Sequence, residues 1–322
     1  MNEFLYRVVI LTKYLINEPS FIGFIIGIGI TIAVFALHRF RQTLPIAYNV
    51  AVVGFPKSGK TTLITSVFSQ LFSDRFLSNK VILRTKATIE RVNRDLERLE
   101  LGKALGPTTD QDLFAYRADI KRGSLLFRRV YKVEIGDFPG EDSKDFSEKE
   151  VEWLHETSYF KWVMEADAFI FIIDLAHVLS DEKQKAYRAN ITKAIRAAWQ
   201  NLFEYHIEGR KDLRRKTVLL VFTKADLLVA KEKMVSQGNS IENYIEKEIM
   251  KLGFGDKLPD IIKVKKQEIN ELMKPIISDY DEIIGYLNSQ TASFHYLTVS
   301  HFAKDEEGRH GIPELVRKIL PR

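Results

Sequence analysis

The longest unbroken apolar run lies near the start of the chain. Phe21 to Leu37 reads FIGFIIGIGITIAVFAL without a charge, about 25 Å of helix at ~1.5 Å rise per residue. A buried core helix normally carries a polar stripe, and this run has none, so it predicts a single transmembrane helix, about 21–37, within an N-terminal segment 1–45. The run starts late for a signal peptide and ends at His38-Arg39-Phe40-Arg41 with no small-x-small cleavage site, so the anchor is expected to stay attached. Arg7 and Lys13 on one side balance Arg39 and Arg41 on the other, so the positive-inside rule does not set the orientation. Gly23 and Gly27 form a G-x-x-x-G pair; it either pairs two helices or reflects the abundance of Gly in membrane helices. Upstream, Phe4, Leu5, Val8, Val9, Leu11 and Leu15 offer an interfacial apolar face.

Beyond residue 45 the pattern changes to short apolar strands separated by helical periodicity. The strands are Asn49–Val53, Tyr131–Ile135, Phe169–Asp174, Thr217–Phe222 and Tyr296–Val299. Phe169–Ile173 is uninterruptedly apolar, as a parallel strand covered on both faces should be. Phe114, Tyr116, Ala118 and Ile120 alternate, Arg122-Gly123 turns, and Leu125–Ile135 returns, which predicts a hairpin. The domain 46–322 is therefore expected to be α/β, with a mixed, mostly parallel sheet flanked by helices and GIPELVRKIL (311–320) as its last helix. Two helical insertions enlarge it. The first, about 77–103, places Ile89, Val92, Leu96 and Leu99 on one helix face; the second, about 228–293, carries Ile241, Tyr244, Ile245, Ile249 and Leu252, then Ile269, Leu272, Ile276 and Ile277. Each either thickens the core or presents a surface to a protein partner or a second copy.

Composition narrows the classes. With 322 residues, 45% hydrophobic and 28% charged, the chain has enough apolar material for a core and is not a disordered tail. The absence of cysteine removes disulfides, thiolate metal sites and cysteine nucleophiles. A net charge of +5 spread along the sequence suits a solvated surface rather than a nucleic-acid footprint. The seven histidines are scattered and spell no metal site. The basic run 206–216 is a solvated loop or a contact for lipid headgroups.

The chemistry begins where the first strand runs into GFPKSGKTT. Gly54, Gly59, Lys60 and Thr61 fill the pattern G-x-x-x-x-G-K-[ST], with a strand before it and a helix after it, which is the context the motif requires. Backbone N–H groups of Lys57, Ser58, Gly59, Lys60, Thr61 and Thr62 then face phosphates at a helix N-terminus. Lys60 adds charge for the β- and γ-phosphates, and the Thr61 hydroxyl suits Mg²⁺. After the Tyr131 strand comes Asp137-Phe138-Pro139-Gly140, a D-x-x-G turn whose Asp137 suits a magnesium water and whose Gly140 offers an N–H to a γ-phosphate. Thr223-Lys224-Ala225-Asp226 follows the Thr217 strand.

The order strand, G-x-x-x-x-G-K-T, D-x-x-G, strand, [NT]-K-x-D resembles the Ras-like P-loop GTPases. The resemblance covers most of 46–322, in motifs and order. It implies that Asp226 accepts hydrogen bonds from guanine while Thr223 and Lys224 pack beside the base, which prefers GTP over ATP, and that Ser300-His301 takes the place of a Ser-Ala pair near the base. Gly106-Pro107-Thr108-Thr109 precedes the hairpin, so Thr108 is the favoured second Mg²⁺ ligand and Thr109 the alternative. Glu141 stands where the family often has a Gln that orients the attacking water, so intrinsic hydrolysis is expected to be slow. Lys57 is either a solvated loop lysine or, by similarity to the guanylate-binding proteins with an Arg at that place, a finger acting in cis once two domains meet; Lys lacks the bidentate fork. The expectation is a membrane-anchored GTPase with its domain in the cytosol, hydrolysing Mg²⁺·GTP to GDP as a molecular switch, with dimerisation as an activating route. A GTP-gated membrane receptor or scaffold with little turnover is the alternative, and a P-loop ATPase the next.

Overall fold

The computed structural model describes residues 19–43, 45–55, 57–73, 80–101, 103, 105, 114–122, 129–137, 165–180, 184–205, 213–236 and 261–320. Thr108, Thr109, Gly140 and Glu141 lie outside them, as do residues 1–18 and 237–260.

The chain opens with helix α1 (Pro19–Thr43). Every described side chain from Ile22 to Leu37 is exposed, among them Phe24 at 64% and Ile32 at 62%. That stretch amounts to about 24 Å of helix against ~30 Å of bilayer hydrocarbon, and among the described residues no helix is long and apolar enough to cross a membrane. The span expected at 21–37 is thus not borne out here.

The α/β expectation holds. In order come β1 (Ile46–Val53), α2 (Lys60–Ser73), β2 (Lys80–Leu83), α3 (Lys86–Glu100), β3 (Phe114–Arg122), β4 (Arg129–Asp137), β5 (Ala168–Asp174), α4 (Leu175–Val178), α5 (Gln184–Tyr205) and β6 (Thr217–Thr223). They are followed by α6 (Asp226–Ser236), β7 (Ile262–Lys263), α7 (Lys266–Asp279), α8 (Asp281–Gln290), β8 (Ser293–Thr298), β9 (Ala303–Asp305), β10 (Gly308–Arg309) and α9 (Ile312–Ile319). Seven strands form one sheet in the order β2-β3-β4-β1-β5-β6-β8, and β10-β9-β7 form a small second sheet. β1 is parallel to both β4 and β5, and β5, β6 and β8 continue in parallel. The hairpin is present as β3 antiparallel to β4, with Phe114 opposite Asp137.

Period-2 alternation sorts the central strands onto two helical layers. Val50, Val52, Ile170, Ile172, Leu219 and Val221 pack against Leu63, Val67 and Phe68 of α2 and Leu315, Val316 and Ile319 of α9. Ala51, Phe169, Phe171, Ile173, Leu220 and Phe222 pack against Trp199 of α5, Ile269 and Met273 of α7 and Leu287 of α8. With both faces covered, the C-terminal ends of the parallel strands are left as the place for ligand loops.

The first insertion contributes β2, an edge strand antiparallel to β3, and α3. The buried residues of α3 are Thr88, Val92, Asp95 and Leu99, while Ile89 is 41% exposed and Leu96 only partly buried. The expected stripe 89/92/96/99 is therefore rotated, and the helix turns polar residues inward. In the second insertion Ile269 and Ile276 are buried as expected, Leu272 and Ile277 pack partly buried against the same core, and Met273 joins them; its 241–252 stretch lies outside the described residues.

Candidate functional site

The loop between β1 and α2 is shaped by its residue types. A Cβ on Gly54 would lie 2.9 Å from both Ile172 Cβ and Ser58 Oγ, so only glycine lets the loop leave the sheet there. Lys57 and Gly59 both take positive φ, 59° and 88°, and the second is cheap only for glycine. Ser58 is 1% exposed and its hydroxyl has no hydrogen-bond partner among the described residues. A buried polar atom inside a loop that no Cβ would fit is what an anion cradle requires.

Lys60, the first residue of α2, sends its ammonium back across this loop to the carbonyls of Gly54 (2.8 Å) and Phe55 (2.9 Å). Burial lowers its pKa to about 8, against which the Asp137 carboxylate works. The Thr61 hydroxyl donates to Asp137 Oδ2 at 2.8 Å. That bond consumes the hydroxyl proton and leaves the oxygen lone pairs for a hard cation. Among the described residues no group of three or more His, Cys, Asp or Glu side chains gathers to hold a metal; the hard oxygen donors that would hold Mg²⁺ here are the Thr61 hydroxyl and, through water, the Asp137 carboxylate. Within that limit Thr61 and Asp137 fit the ion.

A second loop, at the end of β6, is laced onto the first. Thr223 Oγ1 donates to the Ser58 carbonyl at 2.8 Å. Lys224, itself at φ 62°, places its ammonium 3.1 Å from the Lys57 carbonyl and 2.7 Å from Asp174 Oδ2. Asp226 opens α6 and is 7% exposed. The Ser300 hydroxyl donates to its Oδ1 while accepting from the amides of Phe302 and Ala303. The loop after β8 thus fixes the orientation of the Asp226 carboxylate. The His301 ring turns the other way, its Nδ1 2.7 Å from Ser66 Oγ on α2; burial lowers its pKa to about 4, so it is neutral at pH 7.

The structure therefore brings together Gly54, Lys57, Ser58, Gly59, Lys60, Thr61, Asp137, Thr223, Lys224, Asp226 and Ser300. Thr62 is tied in one turn further along α2, its carbonyl accepting from Ser66 Oγ. The Lys57 side chain is exposed. Two residues of the site were missed in the sequence. Asp174, 1% exposed, is the partner of Lys224 and caps the short α4 through the Ala176 amide; its signal was a lone acid ending an otherwise apolar strand. Arg91 of α3 brings Nη2 to 3.9 Å from Asp137 Oδ2, and no motif marks it.

A strand, a glycine-shaped loop, a helix starting on the loop lysine and a second strand-end loop fastened to it define a P-loop nucleotide-binding protein of the α/β class. Residues 49–320 match the Double-GTPase 2 family, and the chain belongs to it. It is accordingly a GTP-hydrolysing enzyme, converting GTP to GDP and phosphate. None of the curated proteins matches it.

Proposed function

We propose that this chain is a Ras-like switch GTPase that binds Mg²⁺·GTP, hydrolyses it, and is held at a bilayer through α1 with its GTPase domain in the cytosol. The observation that carries the guanine-specific part is the lacing of the β6 loop onto the phosphate loop through Thr223 and Lys224, with the Asp226 carboxylate fixed beside it by Ser300. A carboxylate so placed accepts from the paired donors on the guanine edge; adenine has no such pair.

Lys60 and the loop amides would hold the phosphates, Thr61 and, from the motif order, Thr108 (or Thr109) would ligate the metal, and Asp137 would hold it through water. By the order of the motifs, Gly140 would donate to the γ-phosphate and Glu141 would take the place of the residue that orients the attacking water, and Lys57 is the candidate cis finger. When bound, the metal neutralises charge on the β- and γ-phosphate oxygens. Attachment to a bilayer is supported by the exposed apolar side chains of α1, and pairing of two domains through the insertions remains part of the proposal. A GTP-gated receptor or scaffold is the second reading, favoured by Glu141 where an acceptor adds negative charge beside the phosphates.

The test is base selectivity. Asp226→Asn is expected to weaken GDP binding by tenfold or more and to improve xanthosine diphosphate, whose 2-oxo group accepts where guanine donates. Equal competition by ATP and GTP on the native chain overturns the proposal. Phosphate release no faster than in a Lys60→Ala control selects the scaffold reading.

A further inference from the structure

Helix α3, supplied by the first insertion, points a cation into the phosphate end of the sheet. The Arg91 side chain is 14% exposed. Its guanidinium carbon lies 4.8 Å from the centroid of the Phe114 ring and 5.8 Å from that of Tyr116. Two carboxylates flank it: Nη2 is 3.9 Å from Asp137 Oδ2, and Nε is 3.9 Å from Asp95 Oδ2. Both separations exceed a direct hydrogen bond, and Nε has no hydrogen-bond partner among the described residues. Asp95 is otherwise held by the Tyr116 hydroxyl at 3.4 Å and by Arg94 Nε at 3.2 Å. The Asp137 oxygen that Arg91 faces is the one that accepts from Thr61, and Phe114 is the first residue of β3, directly after the segment carrying Thr108 and Thr109.

We propose that Arg91 is a positioning residue that competes with Mg²⁺ for the charge of Asp137 and thereby sets how tightly the site holds metal and nucleotide. The inference rests on the assignment of Asp137 to the metal made above. The physical reason is that a buried guanidinium cannot be left without counter-charge and here has two carboxylates to share. A dication arriving next to Asp137 repels the guanidinium and draws the same carboxylate toward itself. Metal binding thus loosens Arg91 from Asp137 and leaves it to Asp95, on its own helix. In the reverse direction, pulling α3 away from the sheet removes the competing cation and tightens the hold on the metal.

The competition predicts opposite signs for two substitutions. Arg91→Gln removes the rival cation, so the full chain should need about tenfold less Mg²⁺ for half-maximal retention of a fluorescent GDP. Asp95→Asn removes the alternative counter-ion, concentrates Arg91 on Asp137, and should raise the Mg²⁺ requirement by a similar factor. Arg91→Lys keeps the charge and should stay within about threefold of the native chain. Outer-shell partners of metal ligands commonly change affinity by 10–100-fold, so these shifts are readable. In EDTA, thermal unfolding of Arg91→Gln should start lower than in the native chain and recover with Mg²⁺ and GDP, because the buried Asp95 and Asp137 carboxylates then share one cation fewer. Should Arg91→Gln fail to fold, Asp95→Asn alone decides by its sign. Unchanged Mg²⁺ requirements in all variants, or a higher one in Arg91→Gln, overturn the inference. A native chain that retains fluorescent ADP as well as GDP overturns guanine selectivity instead, and the Arg91 comparison is then read on either nucleotide. Retention of neither at saturating Mg²⁺ overturns both.

Discussion

Lys60 is a buried ammonium at 6% exposure, with its pKa lowered to about 8 by desolvation. Phosphate oxygens at the loop would favour the charged form and raise that pKa. The linkage has a definite sign: the free site loses its proton as pH rises through about 8, the occupied site keeps it, and affinity falls above that pH. GDP binding at pH 9 is therefore expected to take up close to one proton, and binding at pH 6.5 close to none. Calorimetry in two buffers of different ionisation enthalpy measures this, and Lys60→Met should abolish the difference. The same scale shows what a sequence can and cannot disclose. Gly54, Gly59, Lys60, Thr61 and Asp226 were legible because each is fixed by a local requirement: a close approach, a positive φ, a helix start or a strand end. Asp174 and Arg91 were not, because their roles come from partners far along the chain, Lys224 for the first and Asp137 for the second.

Among the elements, β6 with its loop ties the most together. Thr223 is 4% exposed, and its hydroxyl donates to the Ser58 carbonyl with a longer second contact to Ile173 at 3.4 Å. Thr223→Val keeps the shape and leaves a buried carbonyl without its donor. The expected cost is about 1–2 kcal/mol in unfolding free energy, with weaker GDP binding, checked by denaturant titration and calorimetry. The central strands were readable because burial on two faces writes continuous apolar runs, and β5 is buried at every position; the edge strand β2 and the short β7, β9 and β10 carry no such run and were not. Helix α3 was placed correctly but turned wrongly. Its apolar spacing ignored that Asp95 and Arg91 gain from facing the Tyr116 hydroxyl and Asp137, which left Ile89 to the solvent side. Hydrophobic periodicity sees only one kind of burial.

At the scale of the whole molecule, two parts contrast. The body from β1 to α9 buries its apolar strands under helices on both faces, while α1 exposes Phe24, Ile26, Ile30, Ile32 and Phe35. Bilayer attachment predicts that the full chain floats with liposomes, and that Ile28→Arg combined with Ile32→Arg abolishes flotation, since both replace exposed apolar side chains of α1 by charge. Nucleotide binding by the double variant should be unchanged. A native chain that stays at the bottom of the gradient overturns the attachment. The two loops at the strand ends, meanwhile, are joined by Thr223 and Lys224. On the proposed reading, discrimination between purines follows from a socket that those two side chains fasten and from one oriented carboxylate.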